Sequence, residues 1–209
     1  MPDERTMDLH TAGHRRGVVA APHAAAVEAG RAILSEGGNA IEAMVAMAAV
    51  IAVVYPHMNQ IGGDGFWLVR EPSGRLRALM AAGVAGSRAA PELYREAGLD
   101  TIPSRGPLAA LTVPGAVAGW ALALEAAGAL GGRLPLADLL AAAVVQAQQG
   151  FAISKGHAAC AAYAGLARAP GFTATFFVDG KPPRPGAMLR QPALAATLEQ
   201  LAHAGLDDF

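Results

Sequence analysis

The stretch that decides the fold is residues 37–53, GGNAIEAMVAMAAVIAV. Its two glycines permit the positive φ that ends a preceding helix. Asn39 is a good N-cap, and Glu42 follows three residues later in capping-box spacing. From there to Val53 the segment is apolar all round, which is typical of a helix buried on every side. The sequence therefore predicts a central helix sandwiched between other layers.

The segments around this helix predict the other elements of the fold. Run length and turn chemistry predict a β-hairpin over residues 66–70 and 76–80, with its turn at residues 72–74. Hydrophobic periodicity and Gly/Pro positions predict the remaining elements: strands over 17–21 and 172–179, a loop over 99–114, and helices over 22–34, 91–97, 115–127, 136–149, 154–167 and 191–204. The order indicates one α+β or layered α/β domain over residues 17–209, preceded by an N-terminal extension over residues 1–16.

Charge and hydropathy exclude several classes of partner. Lys plus Arg number 16 and Asp plus Glu number 17, for a net charge of −1. Without a basic stripe, neither nucleic acid nor an anionic membrane surface is an expected partner. The longest uncharged apolar run, residues 43–55, has 13 residues, whereas a bilayer span needs ~20. Residues 1–10 are charged and lack the apolar core of a secretory signal, so we expect a cytoplasmic protein.

Histidine, serine and cysteine positions give no complete catalytic or metal-binding pattern. The six histidines show no His-Glu-x-x-His motif, so we expect no metal and no cofactor. No serine lies in a Gly-x-Ser-x-Gly elbow. The single cysteine, Cys160, is expected to be a small buried apolar residue. The alternative is a Cys–His pair with His157, three residues earlier on the same helix face.

A glycine-rich loop, residues 61–66 (IGGDGF), is the most distinctive local motif. Three glycines in four residues allow a sharp turn or a close approach of the backbone to another group. The loop lacks both Gly-x-Gly-x-x-Gly and Gly-Lys-Ser/Thr, so it does not predict a phosphate cradle. Asp64 is either a general base or a turn residue that hydrogen-bonds its own backbone.

Six segments, in order along the chain, carry a family resemblance: residues 17–21 (GVVAA), 29–34 (AGRAIL), 36–46 (EGGNAIEAMVA), 55–66 (YPHMNQIGGDGF), 111–120 (LTVPGAVAGW) and 149–153 (QGFAI). Together they resemble the N-terminal part of the large subunit in the γ-glutamyltranspeptidase family. The resemblance implies part of the four-layer αββα sandwich of the N-terminal-nucleophile hydrolases, with a large-subunit portion rich in helices.

The resemblance also implies a mechanism whose reactive group lies outside this chain. In that family a precursor cuts itself and exposes a threonine at the start of the smaller subunit. The threonine hydroxyl attacks an amide, and its own α-amine is the base. The glycines of the family's oxyanion hole also lie in the small subunit. None of the threonines here has the context of that nucleophile, so we expect no catalytic residue on this chain and a downstream small subunit as its partner.

The expected substrate-binding residues are Ser87, Arg88 and Asn59. Family members that act on γ-glutamyl groups bind the substrate carboxylate with the arginine of an Arg-Glu-x-Ala-Pro motif. The matching stretch here, residues 87–91, reads SRAAP, so Ser87 takes the arginine position and Arg88 follows it. A guanidinium fork grips a carboxylate bidentately, and a shift of one residue redirects it. Asn59 is expected to orient a substrate amide, because its side chain both donates and accepts.

Three functions remain open at this point. The first is a self-processing γ-glutamyltransferase-like enzyme that cleaves or transfers an amide-linked acyl group. The second is hydrolysis of a smaller amide, as in the oxamate amidohydrolases of the same family, and Ser87 favours it. The third is a non-catalytic binding module that keeps the fold and has lost the chemistry.

Overall fold

The computed structural model describes residues 17–106, 108–109, 112–163 and 165–209, and the predicted N-terminal extension over residues 1–16 lies outside them. The helices are α1 (Ala24–Ser35), α2 (Ala40–Val54), α3 (Pro91–Glu96), α4 (Ala116–Ala129), α5 (Leu136–Gln149), α6 (Lys155–Ala161), α7 (Phe172–Phe176) and α8 (Pro192–Ala204), with 3₁₀ turns at Leu166–Arg168 and Leu206–Asp208. The strands are β1 (Gly65–Arg70), β2 (Leu76–Ala81), β3 (Phe151–Ala152) and β4 (Met188–Leu189).

Helix α2 begins with the predicted capping box. Asn39 Oδ1 accepts hydrogen bonds from the backbone N–H groups of Ile41 and Glu42, both at 3.0 Å. Glu42 Oε2 accepts from the Asn39 N–H at 2.7 Å. The same two side chains also reach the end of α4 and the α4–α5 connection. Asn39 Nδ2 donates to the Ala127 carbonyl at 3.0 Å, and Glu42 Oε1 accepts from the Leu134 N–H at 2.7 Å. A local helix start is thereby joined to a distant part of the chain.

Helix α2 is the centre of the core, where it packs against α1, α4 and α5. Val45, Val50 and Val53 are fully buried. The expectation of burial on every side is wrong for one stripe, because Ala40 and Met44 are exposed and Ala48 is half-buried. These three residues are four apart and share one helix face, which the described elements leave uncovered.

The β1–β2 hairpin forms as predicted, and it has two unlike faces. Its antiparallel register pairs Phe66 with Met80 and Leu68 with Ala78. Trp67 and Leu79 point to the core, where both strands pack against α4. Phe66, Leu68 and Met80 are more than two-thirds exposed. The hairpin therefore presents an apolar outer face.

A second helical layer is built from α5 and α8, which pack against each other while α5 also contacts α2. The short pair β3–β4 joins Phe151 to Leu189 between these helices. Buried Gln191, at the start of α8, donates from Nε2 to the Val53 carbonyl at 2.9 Å. This hydrogen bond satisfies a carbonyl in the last turn of α2, which has no partner within its own helix.

Two predicted strands are corrected by the structure. Residues 17–21 are irregular rather than a strand. Residues 172–176 form helix α7, where Phe172 and Phe176 contact each other across one turn with ring centroids 5.0 Å apart. The aromatic density of this segment favours a strand, but its i, i+4 spacing is that of a helix. An Asp-Gly turn follows, in which Asp179 and Gly180 both have positive φ between paired Val178 and Lys181.

The predicted helix over residues 154–167 is shorter than expected. It ends at Ala161, and a 3₁₀ turn follows at Leu166–Arg168, while Ala164 lies outside the described residues. No helix within the described ranges has both the length and the apolar character that crossing a bilayer requires.

Candidate functional site

The glycine loop is anchored to the start of α4. The Gly63 carbonyl accepts hydrogen bonds from the N–H groups of Gly115 and Ala116, at 2.9 and 2.8 Å. These donors lie in the first turn of α4, where the helix itself supplies no acceptor. Asp64 Oδ1 accepts from the Gly83 N–H at 3.2 Å. Asp64 thus bonds the backbone of another segment rather than the backbone of its own turn.

Two glycines allow the backbones after β2 and before α4 to touch. A Cβ on Gly83 would lie 1.5 Å from the Val113 carbonyl oxygen, and one on Gly115 would lie 2.2 Å from the Ala81 carbonyl oxygen. Both distances are far inside van der Waals contact. The glycine loop, the segment after β2 and the start of α4 therefore converge on one small region.

Residues of the loop just before the glycine motif line a cavity of about 780 Å³, which we call the histidine cavity. It is lined by the loop after α2, by α6 and the residues that follow it, by α7, and by one side chain from the loop before α4. Its described lining residues are Pro56, His57, Met58, Asn59, Gln60, Arg105, His157, Ala159, Cys160, Ala161, Tyr163, Leu166, Phe172 and Phe176.

Two stacked histidines form one wall of this cavity. The imidazoles of His57 and His157 have centroids 5.5 Å apart and planes 16° from parallel. Phe151 and Phe176 lie within 6.3 Å of the His157 ring, and His157 is only 2% exposed. Nδ1 of each histidine is buried and has no hydrogen-bond partner among the described residues.

Burial keeps both imidazoles uncharged. Desolvation and, to a smaller extent, charge repulsion from the neighbouring His57 lower the pKa of His157 to about 4. Desolvation also lowers the pKa of His57 below its ordinary value. Neutral imidazoles are metal ligands in many proteins, but no group of three or more His, Cys, Asp or Glu side chains within the described ranges is arranged to hold a metal ion.

Arg105 and Cys160 complete the polar part of the wall. The Arg105 guanidinium lies over the Tyr163 ring, with Cζ 5.0 Å from the ring centroid, which is a cation–π contact. Cys160 is exposed on the cavity wall, so its predicted burial is wrong. His157, three residues earlier on α6, is buried instead.

A second cavity, of about 490 Å³, lies beside α3, and we call it the α3 cavity. Its wall includes Ala89, Ala90 and Pro91 from the segment that resembles the family's carboxylate-binding motif. Arg95, also on this wall, donates to Glu92 at 2.8 Å. A guanidinium that is already paired in this way is less available to a ligand.

The structure does not bring the three predicted substrate-binding residues into one cavity. Asn59 lies on the wall of the histidine cavity. Ser87 and Arg88 are exposed in the segment before α3 and line neither cavity. Sequence reasoning missed Arg105 and the His57–His157 pair. No spacing signal links these residues, because three separate segments supply them.

Comparison with known proteins identifies the family. The family model described as Gamma-glutamyltranspeptidase matches residues 26–209. The chain belongs to the gamma-glutamyltranspeptidase family. The resemblance that the motifs carry is confirmed, and the relatives below are named as enzymes.

Two curated relatives show the range of activities that the family includes. The chain is 54% identical to the oxamate amidohydrolase proenzyme of Klebsiella pneumoniae over 196 residues, which is 92% of this chain and 37% of the relative. It is 32% identical to the glutathione hydrolase proenzyme of Escherichia coli over 206 residues, which is 96% of this chain and 35% of the relative. The chain thus spans slightly more than a third of the length of these relatives.

Solved structures confirm the predicted fold class. The gamma-glutamyltranspeptidase of Helicobacter pylori matches with a TM-score of 0.84 at 29% identity, over 94% of this chain and 56% of that one. A cephalosporin acylase from Bacillus halodurans matches with a TM-score of 0.80 at 32% identity, over 97% of this chain and 40% of that one. The chain is a helix-rich α+β part of the N-terminal-nucleophile hydrolase fold.

Proposed function

We propose that this chain is the N-terminal part of the large subunit of a self-processing amidohydrolase that acts on a small amide such as oxamate. The observation that carries this proposal is the 54% identity to an oxamate amidohydrolase proenzyme over 92% of the chain, against 32% to a glutathione hydrolase proenzyme. Ser87 supports it, because the serine takes the place of the arginine that binds a γ-glutamyl carboxylate. Residues 17–209 then form an incomplete large-subunit domain.

The proposed reaction needs a threonine on the downstream small subunit. Its hydroxyl oxygen attacks the amide carbon, and its α-amine takes the hydroxyl proton. The tetrahedral intermediate collapses, the C–N bond breaks, and the leaving nitrogen departs as ammonia after receiving that proton. Water then attacks the acyl ester and releases the acid. With oxamate the products are oxalate and ammonium.

The contribution of this chain is to bind and orient the substrate. Asn59, on the wall of the histidine cavity, can accept a hydrogen bond from the substrate amide N–H₂ or donate one to its carbonyl. Ser87 would not bind a γ-glutamyl carboxylate as an arginine does, because a hydroxyl cannot make the bidentate contact of a guanidinium. Arg88 is one residue away and exposed, which makes it the candidate for any γ-glutamyl carboxylate.

The second candidate function is hydrolysis or transfer of a γ-glutamyl group. It is favoured by the match to the Helicobacter pylori gamma-glutamyltranspeptidase over 94% of this chain. The two functions differ in the acyl group that the enzyme must accommodate, so substrate preference separates them.

The experiment uses the precursor that includes the downstream small subunit. Self-cleavage is followed by gel electrophoresis and by N-terminal sequencing of the small subunit, which should begin with threonine. Ammonia release is then measured with oxamate, and nitroanilide release with a γ-glutamyl anilide. The matched control replaces that threonine with alanine, which removes the nucleophile.

Each result has a distinct meaning. We expect self-cleavage and a higher kcat/KM with oxamate than with the anilide, and no turnover by the alanine variant. Efficient turnover of the anilide alone would overturn the oxamate proposal in favour of γ-glutamyl chemistry. A precursor that neither cleaves itself nor releases ammonia would indicate the non-catalytic binding module.

A further inference from the structure

The histidine cavity carries one permanent charge on its described wall. Desolvation lowers the pKa of both His57 and His157, so neither imidazole supplies a positive charge near neutral pH. Asn59 and Gln60 are neutral, and the other described lining residues are apolar or aromatic apart from the Cys160 thiol. The positive potential inside this cavity therefore comes from Arg105.

The position of Arg105 leaves its donors available. A cation–π contact with an aromatic ring does not use up the N–H donors of a guanidinium. Arg105 makes such a contact with Tyr163, with Cζ 5.0 Å from the ring centroid. Among the described residues, no carboxylate forms an ion pair with it.

The neighbours of Arg105 in the cavity suit a small amide. Asn59 and Gln60 provide amide groups that can pair with a primary amide. Phe172 and Phe176 provide an apolar wall. By contrast, Arg88 lies outside both cavities and Arg95 is already paired with Glu92.

We infer that Arg105 binds the carboxylate of the substrate, a small amide that also carries a carboxylate, within the histidine cavity. Arg105 then replaces, from a different loop, the arginine that Ser87 has displaced from the family motif. This inference rests on the proposed function, because it takes the substrate class from it. Arg105 is a binding residue in this account, and the reacting bond is attacked by the threonine of the small subunit.

The test compares a charged and an uncharged amide of the same shape. Oxamate carries a carboxylate, and oxamide carries a second amide in its place. In the mature two-subunit enzyme, Arg105→Gln should raise KM for oxamate about 10- to 100-fold, the range of a lost charge-assisted hydrogen-bond pair, and change KM for oxamide only about 2-fold. Arg105→Lys keeps the positive charge but loses the planar fork, so its KM for oxamate should lie between those of wild type and Arg105→Gln. Arg168→Gln, an exposed arginine outside the cavity, controls for the change in net charge.

A binding measurement separates this inference from the proposed function. Oxalate, the product dianion, is titrated into the mature enzyme by calorimetry, which needs no turnover. If oxalate binds wild type and Arg168→Gln but binds Arg105→Gln at least 10-fold more weakly, the inference holds even where oxamate is not hydrolysed. Normal oxamate kinetics and oxalate binding in Arg105→Gln would overturn the inference while the proposed function stands. The inference would also be overturned if Arg88→Gln weakened oxalate binding while Arg105→Gln left it unchanged. If the wild-type enzyme neither bound oxalate nor hydrolysed oxamate, the inference and the proposed function would both be overturned.

Discussion

The imidazoles of His57 and His157 stack at 5.5 Å across the gap between the loop after α2 and helix α6. The pair joins the loop that carries Asn59 to the helix that carries Cys160. Because Nδ1 of each ring is buried without a partner among the described residues, a proton added to either ring would have no acceptor there. The surroundings of the stacked pair therefore favour the neutral form of both rings.

Acid should destabilise the protein through His157. The pKa of His157 is about 4 in the folded state, against an ordinary value of 6.5 for an exposed histidine. Between these values the unfolded chain binds a proton that the folded chain excludes, so stability falls as pH decreases from about 6.5 towards 4. His157→Phe keeps a ring among Phe151 and Phe176 and removes the titration. We expect its melting temperature to depend less on pH across this window than that of wild type.

The exposed histidine His203 provides the control for this measurement. His203→Gln should follow the wild-type curve of melting temperature against pH. An unchanged pH dependence in His157→Phe would show that His157 does not cause the acid sensitivity.

Removal of the Glu42 carboxylate should destabilise the core. Glu42 is 2% exposed and accepts the N–H groups of Asn39 and Leu134. Glu42→Ala leaves both donors without their acceptor and removes half of the capping box, which together cost about 2–4 kcal/mol of unfolding free energy. The measurement is denaturant unfolding of the complete enzyme.

Glu36→Ala is the matched control for Glu42→Ala. Glu36 is an exposed carboxylate six residues earlier, and its loss should change the unfolding free energy by less than about 0.5 kcal/mol. Equal losses in the two variants would mean that the buried hydrogen bonds of Glu42 contribute nothing beyond its charge.

A single methyl group at position 83 should separate β2 from the start of α4. Gly83→Ala places Cβ 1.5 Å from the Val113 carbonyl oxygen, and backbone must move to relieve this contact. We expect a loss of at least about 2–3 kcal/mol in unfolding free energy. Gly86→Ala, in the same loop, adds a methyl group with no heavy atom within 4 Å and should be nearly neutral. Equal stability of the two variants would show that the backbones do not touch there.

The outer face of the hairpin should be covered in the complete enzyme. Leu68 is 77% exposed beside Phe66 and Met80, and contiguous apolar patches of this kind mark contact surfaces. If the face is covered in the complete enzyme, Leu68→Lys removes the stabilisation from burying one leucine there, about 1.5–3 kcal/mol. We therefore expect a lower yield of self-cleaved precursor. Ser73→Lys adds the same charge at the exposed turn of the hairpin and should process normally. Full processing of Leu68→Lys would show that the face remains open to solvent.

Much of the local structure was predictable, because it depends on neighbours in sequence. The capping box of α2 and the β1–β2 hairpin follow from residues only a few positions apart. The predictions for residues 17–21 and 172–179 failed because strand formation needs a partner that a local pattern does not specify. Phe172 and Phe176 instead contact each other along α7.

The sequence by itself determined the family and the central helix, since motifs and periodicity record these directly. Only the tertiary structure decided that Asn59, Arg105 and His157 share a cavity while Arg88 does not. These three residues come from separate segments, and packing of α6 and α7 against the loop after α2 brings them together. The same packing removes water from His57 and His157 and lowers the pKa of both imidazoles. Burial in the folded protein, which the sequence does not reveal, therefore leaves Arg105 as the charged residue on the described cavity wall.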